Sequence, residues 1–257
     1  MITEWYQPQK LEEMVKECTA VSPTIKATLQ TMIDELGPLL PQLAGLDQYL
    51  TAVSLKQLVA EITAETVETH WWEMNLHLLK QATGLLDGQT LSETATQLAP
   101  LLHEHFGPQE PVTLQEINVK TVRGICRLSD TLTDPQDMLV APNALSLAQA
   151  HFNKHAWSRA VYSGKTPVGF LLLYDNVEKP EYFLWRYMMA APYQGRGYGR
   201  AAISLLVDYV RTRPNAKELL VSYVPHPQGP RDFYSKCGFI ETGEVHDGEV
   251  LMKMALE

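Results

Sequence analysis

Hydrophobic residues recur at helical spacing through the first hundred positions, and the pattern changes after that. Leu11, Met14, Val15 and Cys18 fall three and four apart, as do Ile25, Leu29, Met32, Ile33 and Leu36, so each set lines one face of a helix. Ser22-Pro23 supplies an N-cap with proline at the first helical position. The run GPLLPQLAG, residues 37–45, is expected to break that helix and start a shorter apolar segment. Ser54 then heads a long periodic stretch through Leu55, Leu58, Val59, Ile62, Val67, Trp71, Met74, Leu78 and Leu79, ended by Gly84 and Asp87-Gly88. A last helix covers 90–106. Strand-like alternation is missing from residues 1–106, which predicts a small bundle of four or five helices.

Residues 107–111, GPQEP, read as a linker, and a different grammar follows over 112–257. VTLQEI is a first strand, a helix begins at 118–127, and 134–142 is a polar loop interrupted by proline. Asn143 caps a second helix running to Asn153. The stretch 157–175 is a hairpin turning at Ser163-Gly164-Lys165. Tyr182–Met189 is an unbroken aromatic and aliphatic strand except for Arg186. A turn holding Gly195, Gly197 and Gly199, a helix to Arg211, the strand ELLVSYV, a short helix with Phe233 and Tyr234, and a closing strand complete the chain. The order β-α-α-β-β-β-α-β-α-β is a mixed α/β pattern. The expected fold class is therefore α + α/β.

Charge sharpens this division. Residues 1–110 hold 5 Lys and Arg against 15 Asp and Glu, whereas residues 111–257 hold 16 against 15, so the net charge of −9 belongs to the first part. An acidic bundle argues against nucleic acid and anionic membranes as partners, because phosphate contacts need Lys and Arg. It suits solubility first and a cationic ligand second. No apolar run reaches the eighteen or more residues of a membrane span, and MITEWYQPQK lacks the basic and apolar regions of a signal peptide. Cys18, Cys126 and Cys237 are odd in number and widely spaced, which points to a reducing cytoplasm. His70, Glu73 and His77 fall at i, i+3 and i+7, with His103 and His105 as partners from another helix. The flanking Trp71 and Trp72 favour packing or a subunit surface over metal, and no metal is expected.

The glycine turn carries the chemistry. Glycines let backbone approach a ligand without Cβ atoms, and the free N–H groups of the new helix form an anion site. The GxxxxGK[ST] of a P-loop is absent, and the spacing G-x-G-x-G lacks the acidic residue of a dinucleotide fingerprint. Gln194-x-x-Gly197-x-Gly199 instead resembles the pyrophosphate loop of the GCN5-related N-acetyltransferases (GNAT). Gly-Pro-x-x-Phe-Tyr-x-x-x-Gly-Phe, ending at Phe239, resembles that family's closing helix and strand. The resemblance covers 112–257. The phrases VAPNALSLAQAHF, LWRYM, YQGRGYGRAA, VSYVP and GFIETGEV-x-DGEV-x-M extend it to the diamine or spermidine N-acetyltransferase branch. Ala190, Leu145 and Gln149 stand where that branch tends to carry acids, and all three remove negative charge. Residues 1–106 resemble no family.

The resemblance implies a central, mostly antiparallel splayed sheet and an acetyl-CoA-dependent N-acetyltransferase acting on a primary amine of a small molecule, polyamine-like by preference. It also implies homodimers as the common assembly. Backbone N–H groups from Gly195, Arg196, Gly197, Tyr198, Gly199 and Arg200, after Gln194, would hold the diphosphate, with Arg196 and Arg200 adding charge. Met188, Met189 and Ala190 would offer backbone groups to the pantetheine arm, and Tyr234 would protonate the leaving thiolate. The family's strand glutamate is replaced by Phe183, so Glu181, two residues earlier on the same strand face, is the expected base. Asp175 and His226 are weaker candidates, and Asn143, Asp175 and Arg186 are offered as substrate contacts. Cys237 reads as a buried small apolar residue. Two alternatives stay open: an antibiotic- or peptide-modifying acetyltransferase, and an acyl-CoA-binding module without turnover.

Overall fold

The computed structural model describes residues 6–84, 89–106 and 111–256. The chain divides into two compact units, residues 1–110 and 111–257. The pair Asp87-Gly88 and residues 107–110 of the expected linker lie outside the described residues.

In the first unit the described residues form α1 (Pro8–Glu17), α2 (Pro23–Leu39), α3 (Gly45–Thr63), α4 (Trp72–Gly84) and α5 (Gln89–Phe106). The Ser22 hydroxyl accepts the Ile25 N–H at 3.3 Å, so the N-cap is made as its sequence dictates. Leu29, Met32 and Leu36 of α2, Leu55 and Leu58 of α3, and Leu98 and Leu102 of α5 are buried in one core. Four expectations need correcting. The break placed at Gly37 comes two residues later: Pro38 sits inside the last turn of α2, where its missing N–H costs a single bond, and a 3-10 turn follows at Leu40–Gln42. Ser54 does not begin a helix. It lies in the middle of α3, fully buried, and its hydroxyl donates to the Leu50 carbonyl at 2.8 Å.

The long run expected from Ser54 is also two helices. Ala64 turns extended, and the Glu61 carboxylate accepts the Trp71 N–H at 2.9 Å, serving as a remote cap for α4. Burial raises the Glu61 carboxyl above its ordinary value, against the opposing pull of His70 and the backbone donors. His70 therefore precedes α4 and lies 3.3 Å from Glu61, while Glu73 lies 3.6 Å from His103, so the expected shared face of His70, Glu73 and His77 is not formed.

The second unit is a seven-stranded sheet with helices. The strands are β1 (Val112–Gln115), β2 (Ala156–Ser163), β3 (Thr166–Asn176), β4 (Glu181–Met189), β5 (Glu218–Tyr223), β6 (Ile240–His246) and β7 (Glu249–Ala255), in spatial order β1-β2-β3-β4-β5-β7-β6. All neighbours are antiparallel except β4 and β5. The helices are α6 (Val122–Leu128), α7 (Gln136–Leu139), α8 (Asn143–His151), α9 (Tyr198–Arg211) and α10 (Arg231–Cys237). Two details depart from the sequence reading. The polar loop 134–142 contains α7, and the single closing strand is a β6–β7 hairpin. Asp247 and Gly248, at φ 52° and 84°, make its left-handed two-residue turn.

Two features of β4 place the site. Leu172 pairs with Arg186 and Leu173 with Leu184, which leaves Trp185 as an extra, bulged residue. Parallel pairing to β5 is confined to Phe183 with Leu220 and Leu184 with Val221. Past the bulge the two strands part.

Candidate active site

The parting of β4 from β5 opens a cleft of about 1190 Å³. Its walls come from the loop before α8, the far half of β4, the Gly-rich loop and α9, the end of β5, α10 and the start of β7. Gly195, Gly197, Gly199, Arg200, Tyr234, Met188, Met189, Gln194 and Arg186 all line it.

At one mouth the backbone of the Gly-rich loop forms a cradle. Gly195 and Gly197 hold φ of 74° and 87°, which side chains of L-residues rarely adopt, and a Cβ on either would meet open space. Gly197 is the N-cap of α9, a helix of 14 residues, and the first intrahelical bond runs from the Ala201 N–H to the Gly197 carbonyl. The N–H groups before Ala201 thus face the cleft mouth without intrahelical partners. Gly199 has a different reason to be glycine: a Cβ there would lie 3.2 Å from both the Phe233 ring and the Tyr187 hydroxyl. Tyr187 donates to the Gly199 carbonyl at 2.8 Å, fastening β4 to α9. Tyr198 is buried and offers its backbone alone, and Arg196 lies with its guanidinium 5.8 Å from the Tyr193 ring centre. The Gln194 amide is committed within the protein, donating to the Met189 carbonyl and the Gln136 side chain, each at 2.9 Å.

Along β4 the expected row of backbone groups is narrower than Met188–Ala190. Ala190 is fully buried and its N–H is bonded to the Val168 carbonyl at 3.0 Å. Alternation in an antiparallel ladder then turns the backbone groups of Tyr187 and Met189 toward the gap left by β5.

Tyr234, on α10, is 5% exposed. Its hydroxyl has no hydrogen-bond partner among the described residues, and its ring packs edge-on to Phe233 and Phe239. Burial, then the nearby Cys237 and Glu249, push its pKa well above the ordinary tyrosine value, so it stays protonated across the neutral range. Glu249 lines the same cleft from β7 and accepts a hydrogen bond from the Ser222 hydroxyl of β5. Neither Glu249 nor Ser222 was singled out from sequence. The only local signal was the Asp247-Gly248 turn, which sets the register of β7 against β6 and leaves its pairing with β5 unmarked.

Four residues offered for the site are elsewhere. Glu181 is exposed at the far end of β4 and lines a separate depression of 320 Å³ with Lys217 and Glu218. Six residues separate it from Tyr187, roughly 20 Å of strand, so it does not reach the cleft. Asp175 is a structural anchor: it accepts from the Tyr209 hydroxyl at 2.7 Å and from Arg213 Nε at 3.0 Å, holding the end of α9 to β3. Asn143 is 1% exposed and does not cap with its side chain; its Nδ2 donates to the Ile125 carbonyl at 2.8 Å and lies 3.6 Å from Met188 Sδ. His226 is not among the residues lining the cleft.

Residues 127–239 match the family model described as Acetyltransferase (GNAT) family. The chain is 31% identical over 93 residues to an uncharacterized N-acetyltransferase, YycN, of Bacillus subtilis (strain 168); the match spans 35% of this chain and 58% of that relative's length. Among solved structures, a SpeG chimera described as spermidine N-acetyltransferase from Vibrio cholerae and hSSAT matches at 21% identity and TM-score 0.45, over 57% of this chain and 96% of that one. The ribosomal-protein-S18-alanine N-acetyltransferase of Escherichia coli matches at 15% identity and TM-score 0.45, over 57% and 94%. The family match falls on β2 to β5, the Gly-rich loop, α9 and α10, which build most of the cleft.

Proposed function

We propose that the protein transfers the acetyl group of acetyl-CoA to the primary amine of a small molecule, both bound in the cleft between β4 and β5. The observation that carries this reading is the coincidence, in one cleft, of an anion cradle at one end with Tyr234 and Glu249 beyond it. Bound acetyl-CoA supplies an acetyl thioester. The N–H groups from Gly195 to Arg200 hold its diphosphate, and the backbone of Tyr187 and Met189 pairs with the amides of its arm. Glu249 takes the amine proton, directly or through water, with Ser222 fixing the carboxylate. As the N–C bond forms and the C–S bond breaks, the Tyr234 hydroxyl gives its proton to the departing sulfur.

The polyamine-like acceptor expected from sequence is the finer part of this reading. The lining holds Asp137 and Glu249 against Arg186, Arg200 and Lys236, a balance that does not single out a polycation. We place the reaction in the cytoplasm, in keeping with free Cys18, Cys126 and Cys237; a disulfide in the protein isolated from cells without reductant would count against that. A second copy of the chain, suggested by the exposed edge strand β6, is checked by light scattering, where a monomer rejects it.

The test is thiol release from acetyl-CoA by the full chain against spermidine, putrescine, aminoglycosides, amino acids and a lysine peptide. Turnover with at least one amine is expected, falling at least tenfold in Glu249→Gln. No turnover with any amine, while acetyl-CoA still raises the melting temperature, replaces the enzyme reading with that of a binding module.

A further inference from the structure

One charged group in the cleft has no use in acetyl transfer itself. Arg186 follows the Trp185 bulge and lines the cleft together with Glu249. Its Nη1 donates to the Trp185 carbonyl at 2.7 Å, its Nη2 lies 3.5 Å from the Gln149 amide oxygen, and its guanidinium sits 5.5 Å from the Trp185 ring centre. Its Nε is buried without a hydrogen-bond partner, and no carboxylate lies within ion-pair distance among the described residues. Burial pulls its pKa below the ordinary arginine value, and Glu249 pulls it back up.

A guanidinium in this setting is oriented but not neutralised. It is held by neutral acceptors and an aromatic face, and it keeps donors for a planar anion. The same cleft carries two carboxylates, Asp137 and Glu249, of which Glu249 is the one assigned above to the amine. The positions where acids would gather a second or third ammonium are filled by Ala190, Leu145 and Gln149, and Gln149 holds the arginine instead. We propose that the acceptor is a zwitterionic amine, an amino-acid-like molecule whose carboxylate is bound by Arg186 while its reacting nitrogen lies against Glu249. The inference rests on the acetyltransferase reading above and narrows its substrate class.

Matched pairs of acceptors that differ only in the carboxylate test it: L-lysine against cadaverine, L-ornithine against putrescine, and L-phenylalanine against phenethylamine, each with the full chain and acetyl-CoA. Because a charge-assisted hydrogen bond is at stake, the carboxylated member of at least one pair should show a kcat/KM roughly 10- to 100-fold higher. In Arg186→Gln the ratio within that pair should fall toward one, and Arg186→Lys should restore part of it by keeping the charge without the fork. Binding to the CoA complex, read by calorimetry, should show the same preference without requiring turnover. Equal or better use of the decarboxylated amines overturns this proposal and leaves acetyl transfer standing, as does an unchanged ratio in folded Arg186→Gln. Failure of every amine both to react and to bind overturns both.

Discussion

Removing the Asp175 carboxylate separates architecture from chemistry in the second unit. Asp175→Ala deletes the acceptor of two hydrogen bonds, from the Tyr209 hydroxyl and from Arg213 Nε, and the Asp175 side chain is only 7% exposed. Hydrogen bonds to a charged partner contribute about 1.5–3 kcal/mol each. Arg213, 30% exposed, recovers part of its loss from water. Tyr209 does so less, because its ring is stacked on Trp157 with centroids 4.0 Å apart. The net cost is about 3 kcal/mol, which for a unit of this size lowers the melting temperature by roughly 6–12 °C. Near-ultraviolet circular dichroism follows the transition through Trp157 itself. Well below that transition, thiol release should stay within twofold of the parent, since the anchor lies on the α9 face and outside the cleft. A melting temperature within 2 °C of the parent would refute the anchoring argument. A tenfold loss of turnover in the folded variant would return Asp175 to the site.

Other outcomes follow from the same geometry. Gly197→Ala forces a φ of 87° on a residue with a Cβ, at a cost of about 1 kcal/mol. The added atom also projects into the phosphate cradle, so the melting-temperature rise induced by acetyl-CoA should shrink; an undiminished rise rejects the cradle. Tyr234→Phe should lower turnover by about a hundredfold or more and keep that ligand-induced rise, whereas unchanged turnover removes Tyr234 from the acid role. Tyr209 is pushed up to about 12, by burial and then by Asp175. Because its folded value lies above the ordinary tyrosine value, its protonated form stabilises the fold fully below pH 10, and that contribution is lost as pH rises toward 12. The gap in melting temperature between the parent and Tyr209→Phe should therefore narrow across that window, and a constant gap contradicts the assignment.

What the sequence showed and what it hid divide along one physical line. The cradle was legible because a positive φ and a close packing contact demand glycine at fixed spacing, and Gly197 and Gly199 answer those two demands separately. Ser22 was legible because a cap is local. Ser54 misled because the same hydroxyl, once buried, satisfies itself on its own helix. Glu249 stayed hidden because Ser222 is brought to it by strand pairing and Tyr234 by the packing of α10, over separations that no spacing records. Glu181 misled in the opposite way: it lies on the expected strand, yet the cleft begins only at Leu184, where β5 departs.

The bulge at Trp185 has a consequence for how this chain tolerates change in length. Leu184 and Arg186 pair with adjacent residues of β3, so a chain lacking residue 185 would still close the β3–β4 ladder with every other side chain on its present face. It would lose the local bend, and with it the reason β4 turns away from β5. Folding and possession of a cleft are therefore separable at a single codon. A deletion there yields a sheet that is more regular and, for an acyl donor, closed.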